Sequence, residues 1–240
     1  MKVGSYVWSS VLLLGLLAYA SCSFKGIKGN GNVVKIEKEI GAFSELEFKG
    51  VFDVILIQGD KEKLEIETDE NLIDVISVVN KNNKLIIDYK KGKSVRKSTK
   101  FNIYVTLKEV TSIEMNGVGD LKNEGVLNLK TLTLTNSGVG DVNMNINASI
   151  LDVNNSGVGD INLLGSASHL VIANSGVGDV QAEAFKAKDV KLNNSGVGDA
   201  IVFASENIDI TAGGVGDVEF YGSPQQKHIS KGGVGKVYEK

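Results

Sequence analysis

The sequence Gly-Val-Gly-Asp recurs along the second half of the chain. Successive copies are separated by 21, 19, 19, 20, 18 and 19 residues. A repeat at a fixed period near 19 residues is typical of a solenoid, in which each repeat is one supersecondary unit that stacks on the next. The copies begin at Gly117, Gly138, Gly157, Gly176, Gly196 and Gly214, and a last copy, Gly-Val-Gly-Lys, begins at Gly233.

Apolar and polar residues alternate on both sides of each glycine pair. In the copy at Gly157, the apolar positions are Leu151 and Val153 before the glycine, and Ile161 and Leu163 after it. Period-two alternation predicts half-buried β-strands, so each coil consists of strand, bend, strand and loop. One coil buries too little to offset its loss of conformational entropy, and stacking is therefore required. We predict an all-β fold, a right-handed parallel β-helix with coils of about 19 residues.

Asparagine lies two residues before the glycine in four consecutive copies, in the inward-facing frame. Stacked asparagine side chains can hydrogen-bond to one another along the axis of such a fold. The sequence therefore predicts a structural asparagine ladder. Lys231 and Lys236 in the last copy place charge at the open end, as a terminal repeat requires. The four residues are Asn136, Asn155, Asn174 and Asn194.

The N-terminus is predicted to be a targeting segment. Residues 1–21 resemble a secretory signal peptide, with an apolar run at residues 11–17 followed by small residues. Because the small residues end directly at Cys22, we expect Cys22 to be the lipidated N-terminus of a bacterial lipoprotein, with residues 22–32 as a flexible tether. The alternative is an ordinary signal peptide that ends near a free cysteine. We expect secretion across the inner membrane and a lipid anchor in the cell envelope, in the outer membrane. The sequence does not determine whether the protein lies on the periplasmic side or the surface side.

Residues 33–240 are predicted to form a single β-helix domain, with irregular, longer coils at 33–110 and regular Gly-Val-Gly-Asp coils at 111–240. The run that begins at Gly50 is a degenerate early copy, because Gly50-Val51-Phe52-Asp53 is flanked by the same apolar alternation. Other strand-like runs are residues 64–68, 85–89 and 101–107, and residues 70–79 are predicted to be a short helix or loop.

These residues carry a family resemblance. Residues 43–60 read Phe-Ser-Glu-Leu-Glu-Phe-Lys-Gly-Val-Phe-Asp-Val-Ile-Leu-Ile-Gln-Gly-Asp, and residues 68–72 read Thr-Asp-Glu-Asn-Leu. Together with the Gly-Val-Gly-Asp copies, they resemble the head GIN domain family, whose members are named as auto-transporter adhesins. The resemblance covers most of residues 33–240. It implies a parallel β-helix on a secreted or lipid-anchored protein, and it offers no catalytic residues.

The aspartate of the repeat is the sharpest candidate for chemistry. In-register coils would place neighbouring carboxylates about 4.8 Å apart, where they repel one another. Two roles could offset this repulsion: each side chain caps a backbone N–H in its own bend, as in an Asx-turn, or cations such as calcium bind between coils. The sequence leaves the presence of a metal open. The aspartate column is Asp120, Asp141, Asp160, Asp179, Asp199 and Asp217.

A run of cations falls within residues 90–100. Such a run is typical of a solvated, mobile loop. The functional alternative is a patch that binds anionic ligands, either acidic glycans or anionic lipid headgroups. The cations are Lys90, Lys91, Lys93, Arg96, Lys97 and Lys100.

Composition and charge argue against some classes of function. Lys and Arg number 26 against 29 Asp and Glu, which gives no basic excess for nucleic acid. The uniform aspartates single out no catalytic pair, because catalysis needs two carboxylates in unlike environments. His169 and His228 are predicted near variable loops, in solvated structural roles. We predict a non-enzymatic adhesin or structural scaffold with flat faces and no cofactor, whose partners are the membrane and glycans or surface proteins. The alternative is a polysaccharide-binding or polysaccharide-degrading β-helix protein.

Overall fold

A computed structural model describes residues 26–240, so the predicted signal peptide and Cys22 lie outside the described residues. Within that range the chain forms twenty strands and one short 3₁₀ helix, Glu70–Val75. The first ten strands are β1 (Ile27–Lys28), β2 (Val33–Lys38), β3 (Glu45–Phe48), β4 (Asp53–Gln58), β5 (Lys63–Asp69), β6 (Ile76–Lys81), β7 (Lys84–Tyr89), β8 (Val95–Lys97), β9 (Phe101–Leu107) and β10 (Ser112–Met115). The others are β11 (Leu121–Glu124), β12 (Leu127–Asn128), β13 (Thr131–Asn136), β14 (Val142–Asn155), β15 (Ile161–Asn174), β16 (Val180–Asn194), β17 (Ala200–Ala212), β18 (Val218–Tyr221), β19 (Gln226–Lys231) and β20 (Val237–Glu239).

The coils stack in parallel, and equivalent residues pair in register. Leu134 of β13 is aligned with Val153 of β14, and Val153 with Ile172 of β15. All three side chains are at most 1% exposed, as the alternation predicts. One row of parallel strands runs through β7, β3, β10 and β13 to β19, and the other through β9, β4 and β11 to β18 and β20. The predicted all-β solenoid with coils of about 19 residues is confirmed.

Close stacking at the bend explains both glycines of the repeat. A Cβ on Gly157 would overlap the carbonyl oxygen of Gly138 in the preceding coil. Gly159 has a φ of +135°, and a Cβ there would overlap the carbonyl oxygen of Gly140. A side chain at either position would therefore separate adjacent coils, and the second position also needs a backbone conformation that favours glycine.

The predicted asparagine ladder is confirmed. Asn136 Nδ2 donates to Asn155 Oδ1 at 3.1 Å, and Asn155 Nδ2 donates to Asn174 Oδ1 at 2.9 Å. Asn174 Nδ2 continues the ladder to Asn194 Oδ1 at 2.9 Å. The side chains are no more than 2% exposed. The first three buried amides are thus bonded to the next coil, and the last, Asn194, donates to the Gly198 carbonyl. These polar atoms fix the register of an otherwise apolar interior.

The first coils differ from the regular ones, because antiparallel strands cover their outer edge. β2 pairs antiparallel with β5, β5 with β9, and β6 with β7. The predicted strand-like runs at 64–68, 85–89 and 101–107 correspond to β5, β7 and β9, but the prediction of longer coils misses the antiparallel pairing, while β3, β4, β7 and β9 do supply parallel coils. The first coil has no earlier coil to pair with, and an uncovered edge would leave unpaired N–H and C=O groups. The segment predicted as helix or loop at 70–79 is divided between the 3₁₀ helix and β6.

Candidate functional site

The aspartate column connects successive coils at the corner that follows the glycine bend. Asp141 Oδ1 accepts a hydrogen bond from the backbone N–H of Asp160 at 2.9 Å, and Asp160 Oδ1 accepts one from Asp179 at 2.8 Å. The column begins one coil earlier than the regular repeat, at Asp53, and it ends where Asp217 Oδ1 accepts from the N–H of Lys236. The same contact joins all six predicted members.

This geometry corrects the expectation that each aspartate caps its own bend. Each carboxylate instead caps the bend of the following coil, because that coil's N–H points back along the solenoid axis toward it. Within residues 26–240, no group of three or more His, Cys, Asp or Glu side chains is placed to hold a metal ion. The hydrogen bonds give the column a structural role that needs no cation.

Replacing Asp141, Asp160 and Asp179 by asparagine tests this role. Asparagine keeps the Oδ1 acceptor and removes the repulsion between stacked charges, so the melting temperature should hold or rise. Calcium should leave the melting temperature of both proteins unchanged. A calcium-binding column would instead be stabilised by about 2.7 kcal/mol at a hundredfold excess over the dissociation constant. If calcium raised the melting temperature of the wild type by several degrees and did not raise that of the triple variant, the structural role would be contradicted.

An exposed apolar stripe runs beside the aspartate column. The valine after the first repeat glycine forms a parallel bridge to the valine of the next coil, which gives a continuous column. These side chains are 46% to 72% exposed. Contiguous apolar surface of this kind marks interaction sites in soluble proteins. The stripe consists of Val51, Val118, Val139, Val158, Val177, Val197, Val215 and Val234.

A shallow groove of about 440 Å³ lies across β15, β16, β17 and β19, and its lining combines a larger apolar surface with a set of polar side chains, after which we call it the polar groove. His169 Nδ1 lies 2.9 Å from Asp189 Oδ2, and Asn207 Nδ2 donates to Asp189 Oδ1. Asp189 therefore connects side chains of three successive coils. The other polar lining residues include Lys191, Asp209 and His228.

Coil register assembles the groove from two outward-facing columns. One column holds Ile150, His169, Asp189, Asn207 and Gln226, each seven residues before a repeat glycine. The other holds Asp152, Val171, Lys191, Asp209 and His228, each five residues before it. Both histidines thus lie on strands that border one groove, which corrects their predicted place near variable loops. The combination offers hydrogen-bond donors, acceptors and both signs of charge on one face.

The cationic run at residues 90–100 is partly a strand and is packed against the start of the described chain. β8 pairs in parallel with β1. Ile27 N–H donates to the Ser94 carbonyl at 2.8 Å, and Gly29 N–H donates to that of Lys97 at 2.8 Å. Lys100 is ion-paired with Glu67 at 2.9 Å. The run is therefore mostly turn and loop, as predicted, but its three-residue strand anchors it to β1, and its cations are exposed.

Comparison with models of protein families finds a match over most of the chain. The family described as "Putative auto-transporter adhesin, head GIN domain" matches residues 42–224. No curated protein matches the chain. Residues 26–240 include no helix of the length and hydrophobicity needed to cross a bilayer.

Solved structures from Bacteroides and Parabacteroides have the same fold. An adhesin-named protein of Bacteroides fragilis is 31% identical, with a TM-score of 0.85 over 90% of this chain and 100% of its own. A similarly named protein of Parabacteroides merdae is 21% identical, with a TM-score of 0.72 over 89% of this chain and 99% of its own. A Parabacteroides distasonis protein named as lipid binding is 24% identical, with a TM-score of 0.68 over 89% of this chain and 100% of its own. The last two likenesses concern the fold alone.

Proposed function

Because the chain belongs to the head GIN domain family, we propose that it is a non-enzymatic adhesin of the cell envelope that binds glycans through the polar groove. The observation that carries this proposal is the register of the coils, which collects His169, Asp189 and Lys191 on one flat face. A face of fixed strands presents these groups with little conformational freedom to lose on binding.

The chemistry of the groove suits a ligand rich in hydroxyl groups. A sugar hydroxyl both donates and accepts hydrogen bonds, and the groove supplies carboxylate, amide, imidazole and ammonium groups within about 440 Å³. The groove is open and shallow, so it can accept one side of an extended chain. Binding of this kind needs neither a cofactor nor a buried catalytic pair.

We place the protein at the membrane through a lipid on Cys22. Cys22 is the only cysteine of the chain, and it directly follows the small residues that end the predicted signal peptide. A lipid anchor on a secreted solenoid would keep the groove at the envelope while leaving it open to the surroundings. Whether the protein lies on the periplasmic or the outer side of the outer membrane can be measured by its accessibility to reagents in intact cells.

A glycan array that records both retention and cleavage tests the proposal. Residues 23–240 should bind a subset of the glycans and release no shortened product, because the groove binds without performing chemistry. Mass spectrometry of the array wash measures any released sugar. Product release would assign the protein to the polysaccharide-degrading alternative, and the absence of binding to any glycan would contradict the proposed ligand class.

A further inference from the structure

The cationic run takes the place of a glycine bend in the outermost parallel coil. In the regular coils, Gly-Val-Gly-Asp connects the strand of one row to the strand of the other. In the first coil those strands are β7 and β9, and residues 90–100 connect them. The run therefore lies at the N-terminal end of the solenoid, on the corner that carries the valine and aspartate columns.

The first described residues add a further cation to this corner. Lys28 of β1 is aligned with Lys97 of β8, and Gly26 packs against the backbone of Arg96. We call the resulting surface the basic corner, and all of its residues are exposed. None of its side chains forms an ion pair within residues 26–240, whereas Lys100 is paired with Glu67 and is left out. The basic corner consists of Lys28, Lys90, Lys91, Lys93, Arg96 and Lys97.

A buried aspartate holds the basic corner and the N-terminal segment together. Asp69 Oδ1 accepts from Gly31 N–H at 2.6 Å, and Asp69 Oδ2 accepts from Thr99 N–H at 2.7 Å. The backbone hydrogen bond from Thr99, with that from Gly31, holds the pKa of Asp69 below its ordinary value although burial opposes this. The carboxylate is therefore charged at neutral pH, and both segments keep a fixed position relative to each other.

The length of chain before Gly26 limits how far the basic corner can lie from a lipid on Cys22. Cys22 precedes Gly26 by four residues, and four residues span at most about 14 Å when fully extended. A lipid at Cys22 would thus hold Gly26, which packs against Arg96 of the basic corner, within about 14 Å of the attachment point. Anionic membranes attract cationic segments at such range, and each Lys or Arg near the surface strengthens binding about fivefold.

We infer that the basic corner binds the phosphate-bearing headgroups of the membrane that holds the Cys22 lipid. This contact orients the solenoid with its N-terminal end toward the membrane and its axis pointing away from the surface. The inference rests on the proposed lipid anchor. The polar groove begins five coils farther along, at β15, and extends to β19. At about 4.8 Å per coil, this orientation carries the groove about 25–40 Å away from the surface.

Charge reversal tests the membrane contact without the anchor. The probe is residues 23–240 mixed with vesicles of 30% phosphatidylglycerol in phosphatidylcholine, with pure phosphatidylcholine for comparison. We expect at least tenfold stronger partition to the anionic vesicles at low salt, because the Debye length then reaches the headgroups. The variant Lys90→Glu, Lys93→Glu, Lys97→Glu should lose at least tenfold of this partition. A matched control with the same net charge, Lys122→Glu, Lys130→Glu, Lys231→Glu, should lose less than twofold.

Coupling through Cys22 tests the orientation directly. The thiol of residues 22–240 is joined to a maleimide lipid in the vesicles, which supplies the anchor whether or not cells acylate this residue. Lysines of the basic corner should then be protected from acetylation on anionic vesicles but not on neutral ones, while Lys122 and Lys191 react equally on both. Circular dichroism melting confirms that each variant is folded, and the alanine version of the triple variant replaces any that is not.

Three results would overturn the inference: equal partition of the two charge-reversed variants, equal acetylation of the basic corner on both kinds of vesicle, or binding to heparin beads without binding to anionic vesicles. The last result would assign the corner to acidic glycans. The anchor itself is tested separately by fractionating cells that express Cys22→Ser. Release of that variant from membranes supports the anchor, and its retention would contradict the anchor while leaving the vesicle results to decide the headgroup contact.

Discussion

Replacing Leu134 by lysine is expected to abolish folding of the solenoid. Leu134 is 0% exposed and lies between Ile113 and Val153 of the adjacent coils. A buried ammonium without a partner costs several kcal/mol, which is a large part of the stability of a domain. In a stack, loss of one coil also removes the edge on which its neighbours pair. Far-ultraviolet circular dichroism and gel filtration of the purified variant measure the outcome.

The matched control is the same substitution at the next residue. Thr135 points outward and is aligned with Glu114 and Asn154, so Thr135→Lys places its ammonium in solvent beside a carboxylate. The melting temperature of this variant should remain within a few degrees of wild type, because surface changes typically alter stability by about 0.5 kcal/mol or less. Equal damage from both substitutions would mean that the inward and outward positions are wrongly assigned.

The regular coils could be predicted because their signals are local and repeated. Alternation identified the buried positions, for example Val153 and Ile172, without any knowledge of the neighbouring coils. The 19-residue spacing then gave the stacking, and stacking placed each Asn of the ladder above the next. Every step needs only the period of the pattern and the geometry of a strand.

The antiparallel cover at the first coils could not be predicted in this way. β2 and β5 each show alternation, but alternation does not state which strand is the partner or in which direction it runs. That pairing is determined by the need to cover the open edge of the solenoid, which is a property of the whole fold. The direction of the aspartate caps has the same origin, because Asp160 bonds to a backbone group that only stacking brings near.

The groove was missed although the sequence contains its signal. The repeat glycines give the frame of the inward columns, and the same frame places two outward columns seven and five residues before each glycine. Those positions hold His169, Asp189 and Asn207 in one column and Lys191 and His228 in the other. When coils stack in register, outward columns deserve the same comparison as inward ones, since they determine what a solenoid presents to a ligand.

A bead adhesion assay measures the central claim, that the polar groove is the adhesive surface. Beads coupled through the Cys22 thiol carry many copies of residues 22–240, so weak binding by single molecules becomes strong adhesion to an immobilised glycan from the array. The groove variant is His169→Ala with Lys191→Ala, which removes two exposed side chains of the face. The control is Lys130→Ala with Ser149→Ala, which removes an exposed cation and an exposed polar group outside the groove lining.

The measurement is the number of beads retained under flow for the wild type, the groove variant and the control. We expect the groove variant to lose at least tenfold of the wild-type adhesion, because each missing contact is multiplied over many copies. The control should retain adhesion within twofold of wild type. Equal retention of the groove variant and wild type, with both folded, would contradict the assignment of the groove as the adhesive surface.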